Sequence, residues 1–325
     1  MVADLRSIDR LEAITIVDNV IDYSDTVGVP SVLAPHTWTG QTGRDYQYLW
    51  AGWGLSVLVR THVGAESFTV LYDTGPSAEI LAHNVKALGL DLSIVNAIVM
   101  SHGHWDHFGG LIEALEEIGK KDVPVYLHPR MFFPRRVVTK TETGERVRDF
   151  TPIPTVDDIK RAGGRPVLSD GPVSLADTTL LRSGEIPRMT SYETGMPGHQ
   201  AFINGRWVDD SEILDDSCLI AHVRGRGLIV ITGCAHSGVI NSLRESIRLT
   251  GVKRVYAVMG GTHLTGYREM GPVNSTIEDL KAIGPEIILA NHCTGLRAQK
   301  AIAKQLPKTQ VSGGVGLMLR VESTE

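Results

Sequence analysis

The sequence predicts a layered α/β fold in a single domain that carries an insertion. Three observations predict it. Short β-branched runs alternate with segments of helical spacing along most of the 325 residues. Several of those runs end in glycine or small residues followed by a histidine. Residues 129–216 break the alternation, with many prolines, scattered charges and only short strand-like runs. A stretch of that length without regular structure is uncommon inside a compact domain and is often functional, so it reads as an insertion over a site.

Taken in order, Ala13–Val17 reads as a strand, and Leu55–Val59 and Phe68–Tyr72 as two strands of a meander closed by Asp73-Thr74-Gly75. Ser77–Leu88 carries Ile80, Leu81, Val85 and Leu88 at helical spacing. Ala97–Met100 is a short buried strand, Leu111–Ile118 a helix after a Gly-Gly pair, and Val123–Leu127 a further strand. Beyond the insertion, Leu219–Val223 and Leu228–Thr232 form a hairpin around Gly225–Gly227. Helix Val239–Leu249, strand Val255–Met259, helix Ser275–Ile283, strand Ile287–Ala290, helix Leu296–Leu306 and strand Gly316–Val321 complete the chain.

Composition excludes several classes. Lys and Arg total 32 against 37 Asp and Glu, a net charge of −5, so binding to nucleic acid through bulk charge is not expected. An apolar fraction of 42% supports a large core, and 21% charged residues without long like-charge blocks argue against global disorder. Three cysteines without a C-x-x-C pair cannot build a disulfide framework. The first residues, MVADLRSIDRLEAITIV, are not a basic start followed by an apolar run, and no stretch has the length of an apolar membrane span. A cytoplasmic protein with no membrane partner is therefore expected.

Histidine is the informative residue. Three of the twelve histidines lie in Ser101-His102-Gly103-His104-Trp105-Asp106-His107, directly after a strand. His102 and His104 are two apart, so in extended backbone their side chains share a side. Asp106 and His107 follow on the turn into the next helix. Imidazole and carboxylate together suit zinc, iron or manganese. Gly103 would let the backbone pass close to a metal. Three later strands also end near a histidine: Ile229–Thr232 before His236, Val255–Met259 before His263, and Ile287–Ala290 before His292.

His-x-His-x-Asp-His after a strand, with later strand-end histidines, resembles the metallo-β-lactamase superfamily. Asp73-Thr74-Gly75 is similar to that superfamily's strand-end Asp-x-Gly. The segments Gly54–Ser56, Leu71–Gly75, His83-Asn84 ahead of Leu88–Ser93, Ser101–Leu111, Thr232–Gly238, Gly260–Leu264 and His292–Gly295 narrow the likeness. They are similar to one subgroup, the dihydropterin-methyl-ribofuranosylaminobenzene-phosphate synthase-like proteins. The likeness runs from about residue 14 to 320 and is loosest across 129–215. It implies an αββα sandwich with an inserted cap, and two adjacent divalent transition-metal ions, zinc first, with iron or manganese as alternatives. His102, His104 and His236 would hold the first ion, and Asp106, His107 and His292 the second. Many members place an aspartate between the metals in a Thr-Gly-Asp setting, where this chain has Thr232-Gly233-Cys234. Cys234 is then either a thiolate ligand, which favours zinc over manganese, or a small packing residue beside a bridging water.

A metal pair acidifies bound water and clamps the oxygen on which charge develops. Asp106 is expected both to bind metal and to orient that water. Asp73 reads as a partner that accepts N–H from a ligand histidine and fixes its tautomer, or as a turn cap. His263 reads as a donor or general acid toward substrate, or as a histidine packed behind the ligands. In Met131–Arg136, aromatics beside Arg135 and Arg136 suit an anionic aromatic substrate, or form a solvated basic loop. Trp105 would wall the pocket, Trp50 and Trp53 read as packing residues, and His199 could reach substrate from the insertion.

Three functions follow. The first is a binuclear metal-dependent hydrolase that uses a metal-bound hydroxide on an ester, lactone or phosphodiester. The second is a transferase joining a dihydropterin to an aminobenzene ribotide phosphate. The third is a metal-bearing binding protein with little catalysis. The partner expected in each is a small molecule, anionic and aromatic, and a homo-oligomer is compatible with all three. No Gly-x-x-x-x-Gly-Lys loop, Gly-x-Ser-x-Gly turn or His-Glu-x-x-His helix offers another chemistry.

Overall fold

The computed structural model describes residues 3–22, 28–39, 48–265 and 270–324. The first part of the chain runs β1 (Arg10–Val17), β2 (Val32–Leu33), α1 (Pro35–Trp38), β3 (Ser56–Val63), β4 (Glu66–Tyr72), α2 (Ala78–Ala87), β5 (Ala97–Val99), α3 (Trp105–Phe108), α4 (Leu111–Ile118) and β6 (Val123–Leu127). The middle runs β7 (Arg135–Thr141), β8 (Gly144–Asp149), α5 (Val156–Arg161), β9 (Gly164–Leu168), β10 (Val173–Leu175), β11 (Leu180–Arg182), β12 (His199–Ile203) and β13 (Arg206–Asp209). The last part runs β14 (Cys218–Val223), β15 (Gly227–Thr232), α6 (Val239–Thr250), β16 (Val255–Gly260), α7 (Gly271–Ile283), β17 (Ile287–Ala290), α8 (Leu296–Gln305) and β18 (Met318–Glu322).

Strand periodicity of two sorts these residues into layers. In the first sheet, of eight strands ordered β2-β18-β1-β3-β4-β5-β6-β9, one face carries Ile14, Leu58, Leu71, Ile98 and Val125. That face packs on Leu81 and Val85 of α2 and on Leu111, Leu115 and Ile118 of α4. The opposite face, with Val57, Val59, Val70, Tyr72 and Val99, meets Leu219, Ala221, Ile229, Ile231 and Met259 of the second sheet. The second sheet has six strands ordered β10-β11-β14-β15-β16-β17. Its outer face, with Ile220, Val230, Val258 and Ile288, is covered by Val239 and Leu243 of α6, Ile277 of α7 and Ile302 of α8. The result is the four-layered αββα sandwich.

Strands β4, β5 and β6 run parallel, as do β15, β16 and β17. Parallel strands place their C-terminal ends together, and sites in open α/β sheets form outside those ends. Asp73, His102, His236, His263 and His292 all follow such ends.

The span 129–216 is more regular than its sequence suggests. β9 extends the first sheet beside β6, and β10 and β11 extend the second. Only β7, β8, β12 and β13 form a separate four-stranded sheet, here called the cap sheet, in the order β13-β12-β7-β8. The strand signal was hidden for physical reasons. β9 contains Pro166, and every residue of β8 is exposed, so neither shows the apolar alternation of a half-buried strand. Among the described residues no helix is long and apolar enough to cross a membrane.

Candidate metal centre

The loop leaving β5 turns straight into α3 and carries four donors in six residues. His102 Nε2 lies 3.1 Å from His104 Nδ1. His236 Nε2, from the loop after β15, lies 3.2 Å from His102 Nε2 and 3.1 Å from His104 Nδ1. A tetrahedral ion bound by nitrogen at about 2.0–2.1 Å holds its ligands about 3.3 Å apart, so this triangle fits one face of such a shell. A second group lies beside it. Cys234 Sγ is 3.2 Å from His107 Nε2 and 3.3 Å from His292 Nε2. Asp106 Oδ2 is 3.7 Å from His107 Nε2 and 3.5 Å from His292 Nε2. All seven residues are buried, and within each group the donor atoms lie within 4.8 Å of one another.

Burial holds the imidazoles of His102, His104, His236 and His292 well below their usual pKa, reinforced by the neighbouring rings. They therefore present lone pairs, and nitrogens that face one another this way call for a cation between them. Burial also pushes the Cys234 thiol well up, and a coordinating metal is what would remove its proton. Burial raises the Asp106 carboxyl, against the pull of His107.

Behind the donors lies a set of orienting contacts. Asp73 Oδ2 accepts from His107 Nδ1 at 2.7 Å. Asp73 also accepts from the Ser101 backbone N–H and hydroxyl, each at 2.7 Å. Ser101 Oγ in turn accepts from His102 Nδ1 at 2.9 Å. One carboxylate therefore orients a histidine of each group. Burial pulls the His107 pKa down, but Asp73 and Asp106 prevail and raise it to about 9. Asn19, just past β1, accepts from His292 Nδ1 at 3.2 Å and donates to the His292 carbonyl at 2.9 Å. Asp18 accepts from the His292 N–H at 3.1 Å and from the Asn291 amide at 2.8 Å. No motif marks Asp18 and Asn19; they act because β1 ends beside β17's loop. Asp73, Ala235, His263 and His292 all adopt left-handed backbone, with φ of 55°, 55°, 47° and 48°. Strain of this kind in non-glycine residues concentrates at functional sites.

Three sequence expectations change here. Arg135 does not face a substrate. Its guanidinium is buried, donating to Asp215 through both terminal nitrogens, one at 2.9 Å, while Nε lies 3.4 Å from Asp210. Asp215 also accepts the Gly103 N–H at 2.8 Å, so Arg135 braces the histidine loop from behind. Arg136 donates to Gln200 at 2.8 Å and stacks 4.1 Å over Trp207, which holds it on the cap sheet. Gly103 is needed for a close approach to protein, since a Cβ there would come within 2.9 Å of Met131 Cα and 3.0 Å of Arg135 Nη1.

A cavity of about 260 Å³ opens beside the donors. Trp105 lines it, and so does His263, whose ring centroid lies 4.2 Å from that of His236. Burial lowers the His263 pKa to about 4, so at neutral pH it is an uncharged hydrogen-bonding ring outside both donor groups. Trp53, Arg148, Phe150 and Met196 also line the cavity and were not anticipated. Trp53 stands near enough to Asp106 to draw its carboxyl pKa down against burial, and the Arg148 guanidinium lies 5.1 Å from the Phe150 ring centroid. In sequence, Arg148 looks like any charge on an exposed hairpin. His199 reaches the cluster too, but against His104 and not the cavity.

The profile of the metallo-beta-lactamase superfamily matches residues 54–249. A 7,8-dihydropterin-6-methyl-4-(beta-D-ribofuranosyl)-aminobenzene-5'-phosphate synthase of Methanocaldococcus jannaschii is 32% identical over 259 residues, 79% of this chain and 85% of that protein. Among solved structures, Tm1679, described as a metal-dependent hydrolase of the beta-lactamase superfamily, aligns with a TM-score of 0.70 at 21% identity, covering 96% of this chain and 100% of that one. The metallo-beta-lactamase fold protein YhfI of Bacillus subtilis aligns with a TM-score of 0.51 at 11% identity, covering the same shares of the two chains.

Proposed function

Because this chain belongs to the metallo-beta-lactamase superfamily, we propose that it is a two-metal hydrolase for an ester, lactone or phosphodiester bond in an anionic, aromatic small molecule. The observation that supports this reading is the pair of adjacent donor groups, one of three nitrogens and one of four mixed donors. Three protein ligands leave a coordination position open for water or substrate, whereas four close a tetrahedral shell. The thiolate of Cys234 favours zinc, with iron as the alternative. When bound, the two ions supply an acidified water and neutralise charge that develops on the substrate oxygen.

The chain's own residues prepare that chemistry. Asp73 keeps a proton on His107 Nδ1, which leaves Nε2 free as a donor toward the second group. Asn19 does the same for His292. Trp53 lines the cavity beside the Asp106 carboxylate. Trp105 and Phe150 offer ring faces to a planar substrate, and Arg148 offers a guanidinium to its anion. His263 can donate an N–H to a substrate oxygen without adding charge.

The relative from M. jannaschii favours a second reading in the same cavity, the joining of a dihydropterin to an aminobenzene ribotide phosphate. The two are separated by assaying metal-loaded protein against a panel of aryl esters, lactones and phosphodiesters, and against the two synthase substrates alone and mixed. Turnover of a single substrate by water supports the hydrolase. Product formed only in the mixture establishes the transferase. Tight binding without turnover in either assay contradicts both.

A further inference from the structure

His199 belongs to neither donor group and does not line the cavity, yet it is fully buried against the cluster. It arrives on β12 of the cap sheet, nearly a hundred positions from the histidine loop. His104 turns its Nδ1 toward His102 and His236, which leaves Nε2 on the far edge of the ring. That atom lies 3.2 Å from His199 Nε2. His199 Nδ1 lies 3.2 Å from the Asp210 carbonyl and 3.3 Å from its carboxylate. Asp210 is fixed by Arg130 at 3.0 Å and by Arg135 at 3.4 Å. Phe150 packs on both rings, 5.1 Å from His104 and 5.3 Å from His199.

The proton count closes in only one arrangement. If His104 gives its Nδ1 lone pair to a metal, its single proton sits on Nε2. That proton is donated to His199 Nε2, which must then be the lone-pair nitrogen. His199 therefore carries its own proton on Nδ1 and donates it to Asp210. Every ring nitrogen has a partner, and neither ring needs a charge.

We propose that His199, backed by Asp210, is a positioning residue for the first metal: it fixes the tautomer and ring angle of His104 from the cap sheet. This rests on the reading that His102, His104 and His236 hold a metal, and it makes the cap part of what retains that metal. Outer partners of ligating histidines typically change metal affinity by about 10–100-fold.

The test is a titration of the metal-free, full-length protein with Zn²⁺ against a chromophoric chelator, and with Co²⁺ followed by its absorption spectrum. His199→Phe keeps a ring beside Phe150 but offers no acceptor to His104. It should weaken one of two sites about 10–100-fold, alter the cobalt spectrum and spare the other site. His199→Gln, whose carbonyl can accept from His104, should recover most of the loss. If His199→Phe does not fold, His199→Leu carries the test, because it keeps an apolar side chain in the buried position, offers His104 no acceptor and should weaken the same site. Wild-type affinity and spectrum in His199→Phe, or in His199→Leu when that variant carries the test, overturn the proposal while leaving the two-metal reading intact. Equal loss at both sites in the Phe and Gln variants also overturns it, since that is loss of packing. A wild-type protein that binds no metal at the His102 group overturns the two-metal reading and this proposal with it.

Discussion

Cys234 occupies the position where an aspartate was to be expected from the family pattern, and its sulfur sits 3.2 and 3.3 Å from His107 and His292. Those contacts place it with the second donor group and separate it from the first. Cys234→Ser should keep the fold, weaken the second metal and shift preference from zinc toward manganese, because oxygen is a harder donor than sulfur. Competition titrations with Zn²⁺ and Mn²⁺ read this directly, and unchanged content and selectivity would reduce Cys234 to packing. Asp73→Ala removes the acceptor that orients His107 and, through Ser101, His102. It should lower the affinity of both metals, by about 10-fold or more, in an equilibrium chelator assay. At this scale the sequence is legible where chemistry is local, as in the loop 101–107. It is silent on Asn19 and Arg148 and points His199 toward substrate, whereas that ring lies against His104; these placements come from distant chain segments meeting in space and from no pattern around the residues themselves.

Between elements, the Arg135–Asp215 pair joins the start of β7 to the segment before β14 and ties both to Gly103. Both side chains are buried, so removing one partner leaves an uncompensated charge. Arg135→Met should destabilise the protein by about 3–5 kcal/mol in chemical denaturation, whereas a substrate-binding arginine would change KM and leave stability alone. Burial pushes the Asp215 carboxyl up, but Arg135 prevails and brings it down to about 2. A depressed native pKa contributes stability that is present above the unfolded value of 3.8 and disappears as pH falls toward 2. That contribution is about 2 kcal/mol, so Asp215→Asn should flatten the loss of stability between pH 4 and pH 2. The same region shows why the middle of the chain resisted reading. Arg135 sits in an arginine pair beside aromatics and looks solvated, yet its partner lies 80 residues away. The exposed strand β8 also lacks the run of β-branched and apolar residues that made β3, β4 and β15 visible.

For the whole molecule, the donors come from both sheets of the sandwich: the loops after β5 in the first, and after β15 and β17 in the second. Bound metal would thus cross-link the two halves across their shared core. Chelation should lower the melting temperature, since a ligand held at about 1,000 times its dissociation constant adds about 4 kcal/mol to the native state. The sandwich itself was legible because buried strands of β-branched residues alternate with amphipathic helices, and strand-end histidines mark one edge. The cavity beside the donors was not legible, because Trp53, the pair Arg148 and Phe150, and Met196 reach it from three separate stretches of the chain. The most direct test of the central claim is elemental analysis of the purified wild type beside His102→Ala/His104→Ala, with turnover measured on the same samples. Two metals per chain in the wild type, with one lost together with activity in the double variant, is the predicted result. Full metal content in the double variant, or none in the wild type, would contradict the account.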